Sequence, residues 1–181
     1  MKALPTIQKL SKLGKVLSRI AFIFAVIGFV GCIAGLISAA FGNGSIIKLG
    51  NVSLHGMISA SGEANLKGVA AALTGWLILC AGEAVLAKFA EAYFVHELKA
   101  GTPFTLAGAK ELLRLGVLAI ALPAVSHLAA NIAQEITAGI MGVTLHPAML
   151  QLGLEESITL GMMMIVMSLL CQHGAELAEG K

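Results

Sequence analysis

Long apolar runs alternate with short polar stretches along the whole chain. A helix that crosses a bilayer needs about 20 mostly apolar residues. Four stretches approach that length: residues 20–41, 68–90, 114–135 and 155–175. The first carries no charge, and the second is interrupted by Glu83. The third contains Pro123, His127 and Asn131. The strictly apolar part of the fourth is short, so it either extends back to Leu152 or tilts. The pattern predicts an all-α integral membrane protein: one membrane domain, residues 1–181, with four transmembrane helices.

Composition agrees. The chain has 181 residues, 57% of them hydrophobic and 12% charged, with mean hydropathy +0.90. Soluble domains carry about 25% charged residues. A net charge of +2 gives no basic field for direct nucleic-acid binding. Cys32, Cys80 and Cys171 each lie in an apolar run without CxxC spacing, and read as small buried hydrophobes.

Charge sets the orientation. Lys and Arg concentrate on the cytoplasmic side of membrane proteins. Lys2, Lys9, Lys12, Lys15 and Arg19 precede the first span; Lys88, Lys99, Lys110 and Arg114 sit between the second and third; Lys181 follows the fourth. The opposite side has only Lys48 and Lys67. Both termini are therefore expected in the cytoplasm. Residues 1–41 are too long in both their basic and apolar parts for a cleaved signal peptide. Residues 1–19 read as an interfacial basic helix on anionic headgroups, with a docking surface for an acidic partner as the alternative.

The outer loops are residues 42–67 and 136–154. In the first, two β-prone runs flank Gly50-Asn51, which suggests a hairpin. Val52-Ser53-Leu54-His55 is matched by Val143-Thr144-Leu145-His146 in the second. Either the chain is a tandem pair of helical hairpins, or both loops supply strands to one small β-hairpin-like extracytoplasmic cap. His55 and His146, with Glu63, Glu155 and Glu156 nearby, fall short of a metal-ligand set, and no metal site is assigned.

Ionisable groups in a membrane are costly and tend to face the bundle interior. Glu83, His127 and Asn131 are the candidate functional polar positions. Pro123, His127 and Asn131 share one helical stripe that Gln134 and Glu135 continue. The stripe is either a polar groove or a set of interhelical hydrogen bonds, the latter preferred. Glu83 and His127 should differ in depth by about 10 Å, which argues against a proton relay. Gly28, Gly31 and Gly35, with Gly68, Ala71, Ala72 and Gly75, suit close packing of the first two spans or a homo-oligomer. Met162, Met163, Met164 and Met167 point around the helix rather than to one copper site. No nucleophile elbow, HExxH, Walker loop or dinucleotide fingerprint is present. Neither catalytic residues nor a cofactor are assigned, and an enzyme is not expected.

The stretch from Lys88 to Arg114 holds seven charged side chains between two apolar runs. The second helix is expected to continue past the membrane until Gly101 stops it. Thr102-Pro103 then enforces an extended link, Phe104 tucks under the helices, and Thr105 caps the next helix. The cytoplasmic turn is residues 99–110. Gly101-Thr102-Pro103-Phe104-Thr105, Ala109-Lys110, Leu113-Arg114, Leu115-Gly116 and the tail Gly174-Ala175-Glu176-Leu177 carry a resemblance. They resemble the G-x-P-F-[ST] turn, the L-R-x-x-G entry and the G-x-x-L ending of the domain-of-unknown-function 2975 family, four-helix bacterial membrane proteins. Gly108-Ala109 departs from the family's frequent Asn, and the tail after Leu177 is short.

The resemblance implies a regulatory or interaction component paired with a small helix-turn-helix regulator. Gly101, Pro103, Phe104, Lys110 and Arg114 form the candidate partner surface. The alternative is a small transporter or channel subunit using the intramembrane polar residues.

Overall fold

The computed structural model describes residues 3–40, 66–101, 105–143 and 154–178. The expected hairpin, His55, His146, Pro103 and Phe104 lie outside the described residues. Every element among the described residues is an α-helix: α1 (Ala3–Ala40), α2 (Leu66–Ala100), α3 (Leu106–Met141) and α4 (Leu154–Ala178). Each is long and apolar enough to cross a membrane.

α1 is one unbroken helix of 38 residues, about 57 Å at 1.5 Å per residue. The basic stretch from residue 3 to Arg19 leads without a break into the first apolar run. Residues 15–27 contain neither Gly nor Pro to break the helix. Leu10, Phe24, Ile27 and Val30 are all exposed, so α1 leaves much of its apolar surface bare. In water that surface would be a liability; in lipid it is ordinary.

The helix ends follow local chemistry. Gly101 takes φ +74°, and its N–H donates to the Glu97 carbonyl at 3.0 Å, a left-handed stop for α2. The Thr105 hydroxyl accepts from the Gly108 N–H at 3.0 Å and caps α3. α3 runs through Pro123 and on to Met141, six residues past the expected end at 135. Gly142 (φ +67°) ends it, with Val143 N–H donating to Ala138 and Gly142 N–H to Gly139, a Schellman pair.

The helices divide between two compact units: residues 1–24, 82–124 and 153–181, and residues 25–81 and 125–152. In the first unit, neighbouring helices run antiparallel. Gly14 of α1 faces the Phe94 ring of α2; a Cβ there would come within 2.5–2.8 Å of three ring carbons. Tyr93, Leu112 and Leu115 form the core between α2 and α3. α3 and α4 meet backbone to backbone. A Cβ on Gly116 would lie 3.0 Å from the Gly161 carbonyl, and one on Gly161 2.8 Å from the Gly116 carbonyl. Two turns away, the fully buried Ser168 hydroxyl donates to the Ala109 carbonyl at 2.7 Å.

In the second unit, Cys32 of α1 packs with Val69 and Leu73 of α2. Gly35 abuts Leu73, and Gly28 abuts the Cys80 sulfur, so the small-residue face expected on the first span does receive the second. Gly31 faces open space. The Cys32 and Cys80 side chains are neighbours across α1 and α2, although their sequence spacing gives no hint of it. α2 meets α3 through Leu79 against Ala130 and Thr74 against Thr137, whose hydroxyls lie 3.4 Å apart.

Two predictions follow the packing. Gly161→Ala costs about 1–3 kcal/mol of stability in detergent, because a backbone carbonyl cannot step aside. Gly31→Ala, made into open space, is neutral or stabilising. Equal unfolding midpoints for the two variants would contradict this packing. Separately, a membrane-permeant oxidant should close a Cys32–Cys80 disulfide in a Cys171→Ser background, taking two electrons and releasing two protons. Failure to cross-link would place the two thiols apart.

Candidate functional site

Charged residues of α1, α2 and α3 pair with one another along the stretch of α2 from Lys88 to Glu97. Glu91 of α2 is the anchor, with a side chain only 13% exposed. It accepts from Lys88 Nζ at 2.8 Å and faces Arg19 Nε of α1 at 3.9 Å. Lys88 Nζ also stands 4.7 Å from the centroid of the Phe22 ring. A carboxylate this enclosed needs cationic partners to offset its lost hydration. Further along α2, Glu97 accepts the Ser11 hydroxyl of α1 at 2.9 Å. His96 Nδ1 meets the Glu111 carboxylate of α3 at 2.9 and 3.1 Å.

Arg114 is exposed and holds its guanidinium 5.6 Å from the Phe89 ring centroid. No carboxylate pairs with it among the described residues. Arg–aromatic stacking leaves most of the guanidinium N–H groups free for an acceptor. Two clefts flank Phe89. One, of about 180 Å³, opens between α2 and α3 with Arg114, His96 and Glu111 on its wall and Phe89, Leu115 and Leu118 below. The other, about 470 Å³ and almost wholly apolar, lies between α1 and α2 beside Phe22, Val85 and Lys88.

Of the candidate partner residues, Gly101 ends α2, while Lys110 and Arg114 stand exposed on the first turns of α3. The polar candidates fall elsewhere. Glu83 is exposed on α2 in the first unit. Asn131 is exposed and His127 half-buried, both on α3 in the second unit. None of the three has a hydrogen-bond or ion-pair partner among the described residues, and none lines either cleft beside Phe89. The buried polar side chains of α3 are Ser126 and Gln134, not His127 and Asn131. Four-residue spacing shows that residues share a face, but not which face turns inward. Met164 packs against the first unit's core while Met162, Met163 and Met167 are exposed, so the methionines do point around α4. No cluster of three or more metal-ligating side chains occurs among the described residues.

Sequence reasoning found Arg114 but missed Phe89, which looked like the end of an apolar run. An aromatic directly beside Lys88, at the charged end of a span, was the available signal. Comparison with protein-family models, curated proteins and solved structures finds no match to this chain.

The geometry ranks the contacts. His96 and Glu111 are 57% and 40% exposed, so His96→Ala should cost less than about 1 kcal/mol. Ser168 is 1% exposed, and Ser168→Leu should cost about 1–3 kcal/mol through overpacking. Chemical-denaturant midpoints in detergent would separate the two; the reverse order would mean that surface charge, not packing, joins the helices.

Proposed function

We propose that the chain is a multi-pass inner-membrane protein of a bacterium, with both termini cytoplasmic and a regulatory or interaction role rather than an enzymatic one. Four helices of sufficient length and apolarity, with bare apolar faces, support the membrane placement. The positive-inside distribution of Lys and Arg supports the orientation. The interaction role rests on one observation above all: exposed Lys99 and Lys110 flank the Gly101 turn, on helices tied together beneath them by Ser11–Glu97 and His96–Glu111. A rigid base under displayed cations suits recognition of an acidic surface. The partner, a small helix-turn-helix regulator, follows from the turn's resemblance to the domain-of-unknown-function 2975 family.

Glu83, His127 and Asn131 would serve the alternative, a small transporter or channel subunit. None of the three lines either cleft, which leaves that reading without support comparable to the turn's.

Alkaline carbonate washing should leave the protein in the membrane pellet; release into the supernatant would overturn the membrane placement. Pull-down with the tagged chain should recover a cytoplasmic partner that Lys99→Glu/Lys110→Glu loses. Unchanged recovery by the double variant would remove the turn as the docking surface.

A further inference from the structure

The cleft between α2 and α3 has features that the partner reading does not use. Along α3 its wall runs from Glu111 to Arg114 to Leu115 and Leu118. Along antiparallel α2 it runs from His96 back to Phe89. The cleft therefore has a polar end near Gly101 and an apolar end deeper along both helices. Its volume, about 180 Å³, is roughly six times the 30 Å³ that a water occupies in the liquid, enough for a small polar headgroup.

The charges in the cleft are specific. Arg114 offers free N–H donors at mid-cleft, since its contact is the face of Phe89 and no carboxylate neutralises it among the described residues. Glu111 stands three residues earlier on the same face of α3, about 4.5 Å along the axis. The Glu111 carboxylate takes one hydrogen-bond partner, His96 Nδ1, and is 40% exposed. Besides His96, the cleft presents one positive and one negative group in sequence: Arg114 nearer the apolar end, Glu111 nearer the polar end.

We infer that this cleft holds a phospholipid with an amine headgroup, of the phosphatidylethanolamine class. The phosphate accepts hydrogen bonds from Arg114. The primary ammonium beyond it donates to Glu111, and an acyl chain lies along Phe89, Leu115 and Leu118. A purely anionic lipid would set a second negative charge against Glu111, and a quaternary choline has no N–H to donate. The site rests on the membrane placement proposed above, because only there does a lipid reach the cleft in its ordinary orientation.

Native mass spectrometry on delipidated protein in detergent tests the site, with titrations of phosphatidylethanolamine, phosphatidylglycerol, phosphatidylcholine and soluble phosphoethanolamine. The amine lipid should bind most tightly. Arg114→Gln should weaken it about tenfold, the worth of one charge-assisted hydrogen bond. Glu111→Gln should abolish the preference over phosphatidylglycerol while leaving the protein folded, since glutamine can still pair with His96. Equal binding of the three lipids, or an unaffected Arg114→Gln, would overturn the proposal. So would phosphoethanolamine binding as tightly as the lipid, which would make the occupant a soluble phosphate. A carbonate-resistant protein without lipid preference would sink this site alone and leave the membrane placement standing.

Discussion

The close approach of α3 and α4 at Gly116 and Gly161 is the contact on which the first unit depends. Each glycine lies against the other's carbonyl, so the helix axes come as near as backbone permits. Only at that separation can the Ser168 hydroxyl reach the Ala109 carbonyl of the neighbouring helix. Between apolar helices in lipid, burial of apolar surface gives little net drive, because acyl chains are as apolar as leucine. Van der Waals contact and interhelical hydrogen bonds must then hold the helices together. The glycine crossing supplies the first and, through Ser168, permits the second.

The same economy explains the charged cluster. The first unit uses aromatic rings where a soluble protein would use water: Phe22 faces Lys88, and Phe89 faces Arg114. The rings let long cationic side chains keep a favourable neighbour while their stems pass along apolar helix. Glu91 answers two cations from two helices with one enclosed carboxylate. Such pairs add little net stability, since their cationic ends are exposed and screened by solvent. Their role is to fix which faces of α1 and α2 meet.

Much of the fold was legible because membrane helices announce themselves by length and composition. The stop at Gly101 and the cap at Thr105 were legible because each needs a particular residue at a particular place. The far end of α3 was not: Ile136 to Met141 contains Thr137 and Gly139, which resemble loop residues, yet the helix continues to Gly142. Side-chain pairing was the least legible layer. Gly14 against Phe94, Gly116 against Gly161 and Cys32 beside Cys80 each join positions far apart in sequence. Their meeting depends on helix rotation, which apolar sequence on all sides of a helix leaves undetermined. For the candidate site, the cations could be read directly, whereas the aromatic and acidic partners that give them direction could not.

The continuity of α1 sets a rule for how this chain can vary in length. Ser11 meets Glu97 and Arg19 meets Glu91, two contacts eight residues apart on one uninterrupted helix. Each residue added to a helix turns everything after it by about 100°. A single insertion between Ser11 and Arg19 would turn one of the two contacts about 100° away from its partner. Seven residues, close to two full turns, would restore the phase but spread the two contacts about 10 Å further apart along the axis. Related chains should therefore tolerate many substitutions along this stretch, but change its length, if at all, only with a matching change between Glu91 and Glu97 of α2.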